Sequence, residues 1–203
     1  MVKVGTPAPD FTAQTTQGPM QLSQLRGQWV LLFAHPGDFT PVCTTEFMDF
    51  ARKHDEFVKL NTKLIGLSID TIFSHIAWLR DIEQTSGIKI PFPVIADPDK
   101  VVARLYDLVD ERTGQTIRGV FVIDPEGILR FAAYYPIELG RYIPEFLRII
   151  KALQTSDKYG VATPANWQPG EEVVVGAPKT LEEADRRLQE GASTWYILKK
   201  RVD

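Results

Sequence analysis

The single cysteine of this sequence, Cys43, is the residue whose type most directly offers chemistry. A cysteine attacks substrates as the thiolate, and a free thiol, with a pKa of about 8.5, is ionised to only a few per cent near neutral pH. A chain with one cysteine cannot form an internal disulfide, so any disulfide made by Cys43 must involve another molecule. The alternative is a structural role, because buried free cysteines usually behave as small apolar side chains.

The sequence places Cys43 in the first turn of a helix that follows a buried strand. Thr40 is a candidate N-cap, and Pro41 stands at the first helical position, where proline is favoured. Such a helix terminus favours an anion by about 0.3–2 kcal/mol, which corresponds to roughly 0.2–1.5 pKa units. Burial opposes this effect, so a nearby arginine, able to shift a pKa by about 1–3 units, is required as well. The Thr40 hydroxyl is predicted either to cap the helix or to contact a substrate.

The elements around Cys43 predict an α/β fold with a mixed central sheet. Residues 29–34 form a continuous apolar run, which is typical of a strand buried on both faces. Further strands are predicted at 64–69, 92–96, 118–123 and 128–132, the last two joined by a turn, and further helices at 74–84, 100–108 and 141–154. The helix after Thr40 carries side chains at three- and four-residue spacing that predict its buried face: Cys43, Phe47, Phe50, Ala51, His54, Phe57 and Val58.

Composition limits the classes of function that the chain can have. Its 203 residues, 44% hydrophobic and 24% charged, predict a main domain over 1–160. An arm over 161–203, with a strand at 172–175 and a helix at 181–190, is predicted to pack on that domain or on a partner subunit. A net charge of −3 argues against nucleic acid as a partner. The sequence shows neither a membrane-spanning apolar run nor a secretory signal, which predicts a cytoplasmic protein. Its three histidines lack metal-ligand spacing, so no metal or other cofactor is expected.

Residues 35–46 resemble the active-site signature of the peroxiredoxins, in which proline, threonine and cysteine are spaced Pro-x-x-x-Thr-x-x-Cys. The closest resemblance is to the one-cysteine, peroxiredoxin 6-like branch. It continues through segments 70–82, 92–95, 118–122, 135–136, 140–141 and 161–167, and therefore runs nearly from end to end. The resemblance implies a thioredoxin-like fold, with helices flanking the mixed sheet and a short C-terminal extension.

The resemblance also implies an activity and the residues that carry it. The chain is expected to be a thiol-dependent peroxidase that reduces hydrogen peroxide and organic hydroperoxides through a sulfenic acid on Cys43. Thr40 and Arg118 match residues that align the peroxide and stabilise charge, and Pro36 matches one that shields the cysteine from water. Three further residues match supporting positions near the pocket: Arg141, Glu46 and His35.

The partners follow from the same resemblance. With no second cysteine, an external thiol must resolve the sulfenic acid, and glutathione, a thioredoxin-like protein or another small thiol are all candidates. A homo-oligomer, either a dimer or a decameric ring, is expected. A non-catalytic oligomeric holdase is the alternative function. The acyl-hydrolase activity ascribed to some relatives is not expected, because residues 26–30 lack the serine of its Gly-x-Ser-x-Gly motif.

Overall fold

The computed structural model describes residues 2–202, and seven strands of its first part form one mixed sheet. These strands are β1 (Thr12–Thr15), β2 (Gly18–Gln21), β3 (Trp29–Ala34), β4 (Thr62–Ser68), β5 (Val94–Ala96), β6 (Arg118–Ile123) and β7 (Leu129–Tyr135). Their order is β2-β1-β5-β4-β3-β6-β7. Strands β3, β4 and β5 run parallel, whereas β6 pairs antiparallel with β3 and β7, and β1 with β2 and β5. The predicted thioredoxin-like sheet is confirmed.

Strand β3 lies in the middle of the sheet and is buried along its whole length, as its continuous apolar run predicts. Its side chains alternate between two hydrophobic layers. On one side, Phe33 stacks on Phe50 of helix α1 (Pro41–Arg52), with ring centroids 4.1 Å apart. On the other side, Leu32 belongs to a core that includes Val102 of helix α4 (Val101–Leu105). The sheet is thereby covered by helices on both faces.

The helix that carries Cys43 is shorter than the sequence predicts. Helix α1 ends at Arg52, and a separate helix α2 (His54–Lys59) follows it. Lys53 between them has φ −100° and ψ 4°, and its carbonyl accepts hydrogen bonds that begin α2. Because the helical phase restarts at Lys53, the predicted stripe does not extend to Val58, which is 55% exposed.

Two local signals in the sequence locate helix α3 (Ile72–Ser86), which extends two residues beyond each predicted end. The Thr71 hydroxyl accepts a hydrogen bond from the Ser74 N–H and caps its first turn. Gly87, with φ 73°, ends it in the left-handed conformation that glycine adopts most readily. Three side chains on the inner face of α3 are buried, namely His75, Trp78 and Ile82.

The contacts of the chain group into two compact units that divide between Ile143 and Pro144. The second contains most of α5 (Ile143–Tyr159), then β8 (Val173–Val175), α6 (Leu181–Gln189) and β9 (Leu198–Lys200). Strand β8 pairs antiparallel with β9, a strand that was not predicted from the sequence. The second unit has a small hydrophobic core of three buried residues, namely Ala152, Trp167 and Val173. The domain boundary at 160/161 and the docking of the arm stay predictions. None of the helices within residues 2–202 is long and apolar enough to cross a membrane.

Candidate active site

Cys43 is the third residue of helix α1 and is fully buried. Helix α1 starts at Pro41, directly after the loop that leaves the carboxyl end of β3. In open α/β sheets, this end of the strands is where ligands bind. The first turn of a helix also has unpaired N–H groups and a partial positive charge. Strand and helix therefore place the thiol where an anion is stabilised.

The guanidinium of Arg118 supplies the cation that the helix terminus alone does not provide. Arg118 opens strand β6, is 2% exposed, and directs Nη1 to within 3.3 Å of the Cys43 Sγ. The same Nη1 donates to Oε2 of Glu46 at 2.9 Å, while its Nε donates to the carbonyl of Ile137 at 3.0 Å. These bonds fix the guanidinium plane beside the sulfur.

A second arginine, Arg141, completes the cluster through the same carboxylate. Its Nε donates to Oε1 of Glu46 at 2.9 Å and its Nη2 to Oε2 at 2.7 Å, which is a two-bond, charge-assisted pairing. Its Nη1 donates to the carbonyl of Gly119 at 2.9 Å. The buried cluster thus holds two guanidinium groups and one carboxylate. Counted together, these three side chains leave one positive charge beside the Cys43 sulfur.

The loop before α1 carries the other residues singled out from the sequence. Thr40 occupies the N-cap position, but its hydroxyl does not cap the helix and instead donates to the carbonyl of Gly37 at 2.8 Å. The cap prediction is therefore wrong for the side chain. Because its proton is engaged with Gly37, the Thr40 oxygen offers lone pairs as an acceptor. Pro36 is buried, and Phe39 has a positive φ of 56°, an uncommon conformation for a bulky residue.

Two residues of this loop and one of helix α3 form a cluster of two histidines and a carboxylate that was not predicted from the sequence. Asp38 Oδ1 is 2.9 Å from Nε2 of His35, and Asp38 Oδ2 is 2.8 Å from Nδ1 of His75. Burial raises the pKa of Asp38, but hydrogen bonds from both histidines outweigh it and hold that pKa well below its usual range. An ionised carboxylate only accepts hydrogen bonds, so both facing nitrogens carry protons.

The same three residues offer donor atoms that lie within 4.8 Å of one another, close enough to suggest metal ligands. The histidine spacing in the sequence gave no sign of this. However, the two nitrogen–oxygen separations of 2.8 and 2.9 Å are ordinary hydrogen-bond lengths. The geometry is that of a proton-linked network, with His35 further packed against the ring of Trp78 at 5.0 Å between centroids.

We expect acidification to destabilise the fold through His35 and, in stronger acid, through Asp38. Burial lowers the pKa of His35, and the Asp38 carboxylate opposes that shift only in part. The unfolded chain therefore binds this proton more readily, so the contribution of His35 to stability is full above about pH 6.5 and declines below it. Asp38 acts likewise in stronger acid, since its lowered pKa contributes stability above about pH 3.9 that is lost as the pH falls further.

Urea unfolding at pH 7 and pH 5 measures the His35 contribution. Between pH 7 and pH 5, the free energy of unfolding is expected to change less favourably in the wild type than in His35→Gln, because only the wild type loses the contribution of His35. An unchanged m-value would show that both proteins expose the same surface on unfolding. Equal pH dependence in the two proteins would contradict the assignment to His35.

Comparisons with known proteins agree with this geometry. The AhpC/TSA family model matches residues 4–132, and the model for the C-terminal domain of 1-Cys peroxiredoxin matches residues 152–191. A peroxiredoxin of Thermoplasma volcanium is 58% identical over 197 residues, covering 97% of each chain. Peroxiredoxin 2 of Thermoplasma acidophilum is 57% identical and covers 96% of this chain and 98% of the relative.

Solved structures give the same result. A yeast mitochondrial 1-Cys peroxiredoxin, whose thiol is resolved through glutathione/thioredoxin systems, superposes with a TM-score of 0.89 at 40% identity, over 100% of each chain. A cysteine-to-serine mutant of peroxiredoxin 6 of Arenicola marina has a TM-score of 0.83 at 37% identity, over 92% of this chain and 89% of that one.

Proposed function

The chain belongs to the AhpC/TSA family as a one-cysteine peroxiredoxin, a thiol-dependent peroxidase, and from this premise we propose that Cys43 is its reacting sulfur and Arg118 its principal catalytic cation. One observation carries the proposal. The only cysteine of the chain lies 3.3 Å from a buried guanidinium, within a cluster that has one positive charge left for a thiolate.

The peroxide step uses the thiolate as a nucleophile. The Cys43 sulfur attacks one peroxide oxygen, the O–O bond breaks, and the departing oxygen leaves as hydroxide or alkoxide, which takes a proton to give water or an alcohol. Cys43 becomes a sulfenic acid. Arg118, held beside the sulfur, stabilises the charge that develops on the leaving oxygen. The Thr40 oxygen accepts a hydrogen bond from the peroxide and aligns it.

The other residues of the site support Cys43 and Arg118 without reacting themselves. Glu46 bonds both arginines and thereby fixes their orientation. Arg141 neutralises the Glu46 carboxylate, so that the charge of Arg118 is left for the sulfur. Pro36, buried at the start of the loop, excludes water from the thiolate. His35 is part of the hydrogen-bonded loop that carries Thr40.

We propose that an external thiol completes the cycle. The incoming thiol condenses with the sulfenic acid to give a mixed disulfide and water, and a second thiolate then releases Cys43. Cys43 is the only cysteine, so no step within the chain can replace this one. The related yeast protein is resolved through glutathione/thioredoxin systems, which supports glutathione or a thioredoxin-like protein as the reductant here.

Mass spectrometry after one equivalent of hydrogen peroxide tests both steps. We expect one added oxygen atom on Cys43, because a sulfenic acid without an internal partner persists until a thiol arrives. Samples then receive glutathione, a reduced thioredoxin or a small dithiol in parallel. The physiological class of reductant is expected to remove the oxygen fastest, with glutathione leaving a transient adduct on Cys43.

The matched control is Cys43→Ser, which should gain neither oxygen nor glutathione under the same treatment. Oxidation of methionine or tryptophan without any change at Cys43 would contradict the proposed reacting sulfur. Reduction by none of the three thiols would contradict the proposed class of reductant while leaving the peroxide step intact.

We also propose that the protein works as a homo-oligomer, either a dimer or a decameric ring. Strand β7 lies at one edge of the seven-stranded sheet and, among the described strands, pairs only with β6. A strand at the edge of a sheet can be extended by a strand of a neighbouring chain, and at β7 the N-terminal segment bonds the backbone of Leu129 at the start of the strand. Exposed apolar side chains such as Phe73, which is 79% exposed, add surface that a subunit contact would cover.

A further inference from the structure

His75 lies on helix α3 and has a role that the peroxide chemistry does not explain. It is fully buried, and both of its ring nitrogens face acceptors. Nδ1 is 2.8 Å from Asp38 Oδ2, and Nε2 is 3.0 Å from the carbonyl oxygen of Ile95 on β5. A carbonyl oxygen never donates, and neither does an ionised carboxylate. Both bonds therefore form only when His75 carries a proton on each nitrogen, as an imidazolium.

We propose that His75 is a positioning residue for the peroxidase reaction, holding Asp38 and through it the loop 35–40 in the shape that presents Thr40 to the peroxide. The proposal rests on the function proposed above, since it concerns the same loop. It assigns His75 no contact with substrate or sulfur. Its effect passes entirely through the carboxylate of Asp38.

Asp38 is well placed to transmit this effect because it ties the loop at several points. Its Oδ1 accepts from Nε2 of His35, the residue directly after β3, and its backbone N–H donates to Asp70 Oδ2 at 3.0 Å. Asp70 is itself held by the Ser68 hydroxyl at 2.6 Å. Two residues after Asp38 comes Thr40, whose hydroxyl bonds Gly37. A displacement of the Asp38 side chain therefore changes the path of the segment that carries Thr40.

The balance of buried charge explains why the imidazolium is needed. The charged and titratable groups near His75 include Asp38, which it contacts, and His35, while Asp70 is joined to Asp38 through the Asp38 backbone N–H. Removing the cation leaves the Asp38 carboxylate buried with one fewer strong donor, which is costly. That cost is avoided if the carboxylate moves toward solvent or takes up a proton, and either change alters the bonds by which Asp38 holds the loop.

The expected signature of a positioning role is a slower reaction with an unchanged thiolate. In His75→Gln, we expect the second-order rate constant with hydrogen peroxide to fall by about 10- to 100-fold, the scale of a misplaced catalytic group. The fraction of Cys43 present as thiolate at neutral pH should stay at the wild-type level, because none of the bonds among Cys43, Arg118 and Glu46 involves α3. His54→Gln, on helix α2, is the matched control and should keep the wild-type rate.

A double-mutant cycle shows whether His75 acts through Asp38. If it does, the double variant Asp38→Asn/His75→Gln should react no more slowly than Asp38→Asn alone. The single substitution has already removed the carboxylate through which His75 holds the loop. Additive losses would contradict the proposal, since they would require an independent action of His75. An unchanged rate in His75→Gln would overturn it directly.

Neutron diffraction on the wild-type protein tests the premise without any variant. A deuteron is expected on both ring nitrogens of His75 at neutral pD. A deuteron on only one nitrogen of His75 would overturn the imidazolium assignment. This result is independent of the proposed role of Cys43, whose failure would instead appear as peroxide consumption by Cys43→Ser.

Discussion

Replacing Cys43 with serine is expected to abolish peroxide reduction, lowering the second-order rate constant with hydrogen peroxide by at least about 10³-fold. A serine hydroxyl is not ionised at neutral pH, and the neutral oxygen is a poor nucleophile beside a thiolate. The chain has no second cysteine to substitute for the first. Peroxide consumption in a single turnover, followed with enzyme in excess, measures the loss without depending on the reductant.

The serine variant also separates the enzyme from the non-catalytic holdase alternative. Serine keeps the shape of the cysteine side chain with a smaller terminal atom, so the variant should fold like the wild type, which far-ultraviolet circular dichroism checks. Protection of a client protein from aggregation, if the chain has this activity, should survive the substitution. Wild-type peroxide consumption by Cys43→Ser would contradict the proposed chemistry.

The local features of the fold could be predicted because their signals lie close together in the sequence. The continuous apolar run of β3, the turn that joins β6 to β7, and the glycine that ends α3 each involve a few neighbouring residues. The break at Lys53 gave no such signal, since the apolar spacing continues past it into α2. Strand β9 pairs with β8 over a separation of more than twenty residues. Its three residues, Leu198–Lys200, are too few and too polar to indicate a strand in the sequence.

In the active site, too, the features set by neighbouring residues could be predicted, whereas the contacts between distant residues could not. The burial of Cys43 in the first turn of α1 follows from helical spacing alone. Arg118 lies 75 residues further along the chain, and only the family resemblance marked it, because its approach to the sulfur depends on the sheet order that places β6 beside β3. His75 was missed, although a signal existed. It shares the apolar face of α3 with Trp78 and Ile82, and a polar residue on such a face must find a buried partner.

Arg118 gives the second large expected effect, because it is the only described side chain that donates a hydrogen bond to the Cys43 sulfur. Substituting methionine keeps much of the volume but removes that donor and one of the two positive charges of the cluster. The remaining Arg141 and Glu46 neutralise each other, so nothing is left to balance a thiolate. We expect the rate constant with hydrogen peroxide to fall by about 10²–10³-fold, the usual cost of one donor to a developing charge.

Two measurements resolve this loss into its causes. Ultraviolet absorbance of the thiolate, followed against pH, should show a smaller thiolate fraction at neutral pH in Arg118→Met than in the wild type. The rate constant corrected for that fraction should still be reduced, because the guanidinium also stabilises the leaving oxygen. Arg118→Lys is expected to recover part of the thiolate but little of the corrected rate, since an ammonium cannot bond the sulfur, Glu46 and the Ile137 carbonyl in one plane.

The matched control is Arg148→Met, which removes an arginine of the second unit that pairs with Glu145. It changes the net charge of the protein by the same amount, so it should leave both thiolate fraction and rate at wild-type values. Long-range charge would affect the two methionine variants alike, whereas a contact with the sulfur affects only Arg118→Met. An Arg118→Met protein with the wild-type thiolate fraction and rate would show that the 3.3 Å contact between Arg118 Nη1 and the Cys43 sulfur does not contribute to catalysis.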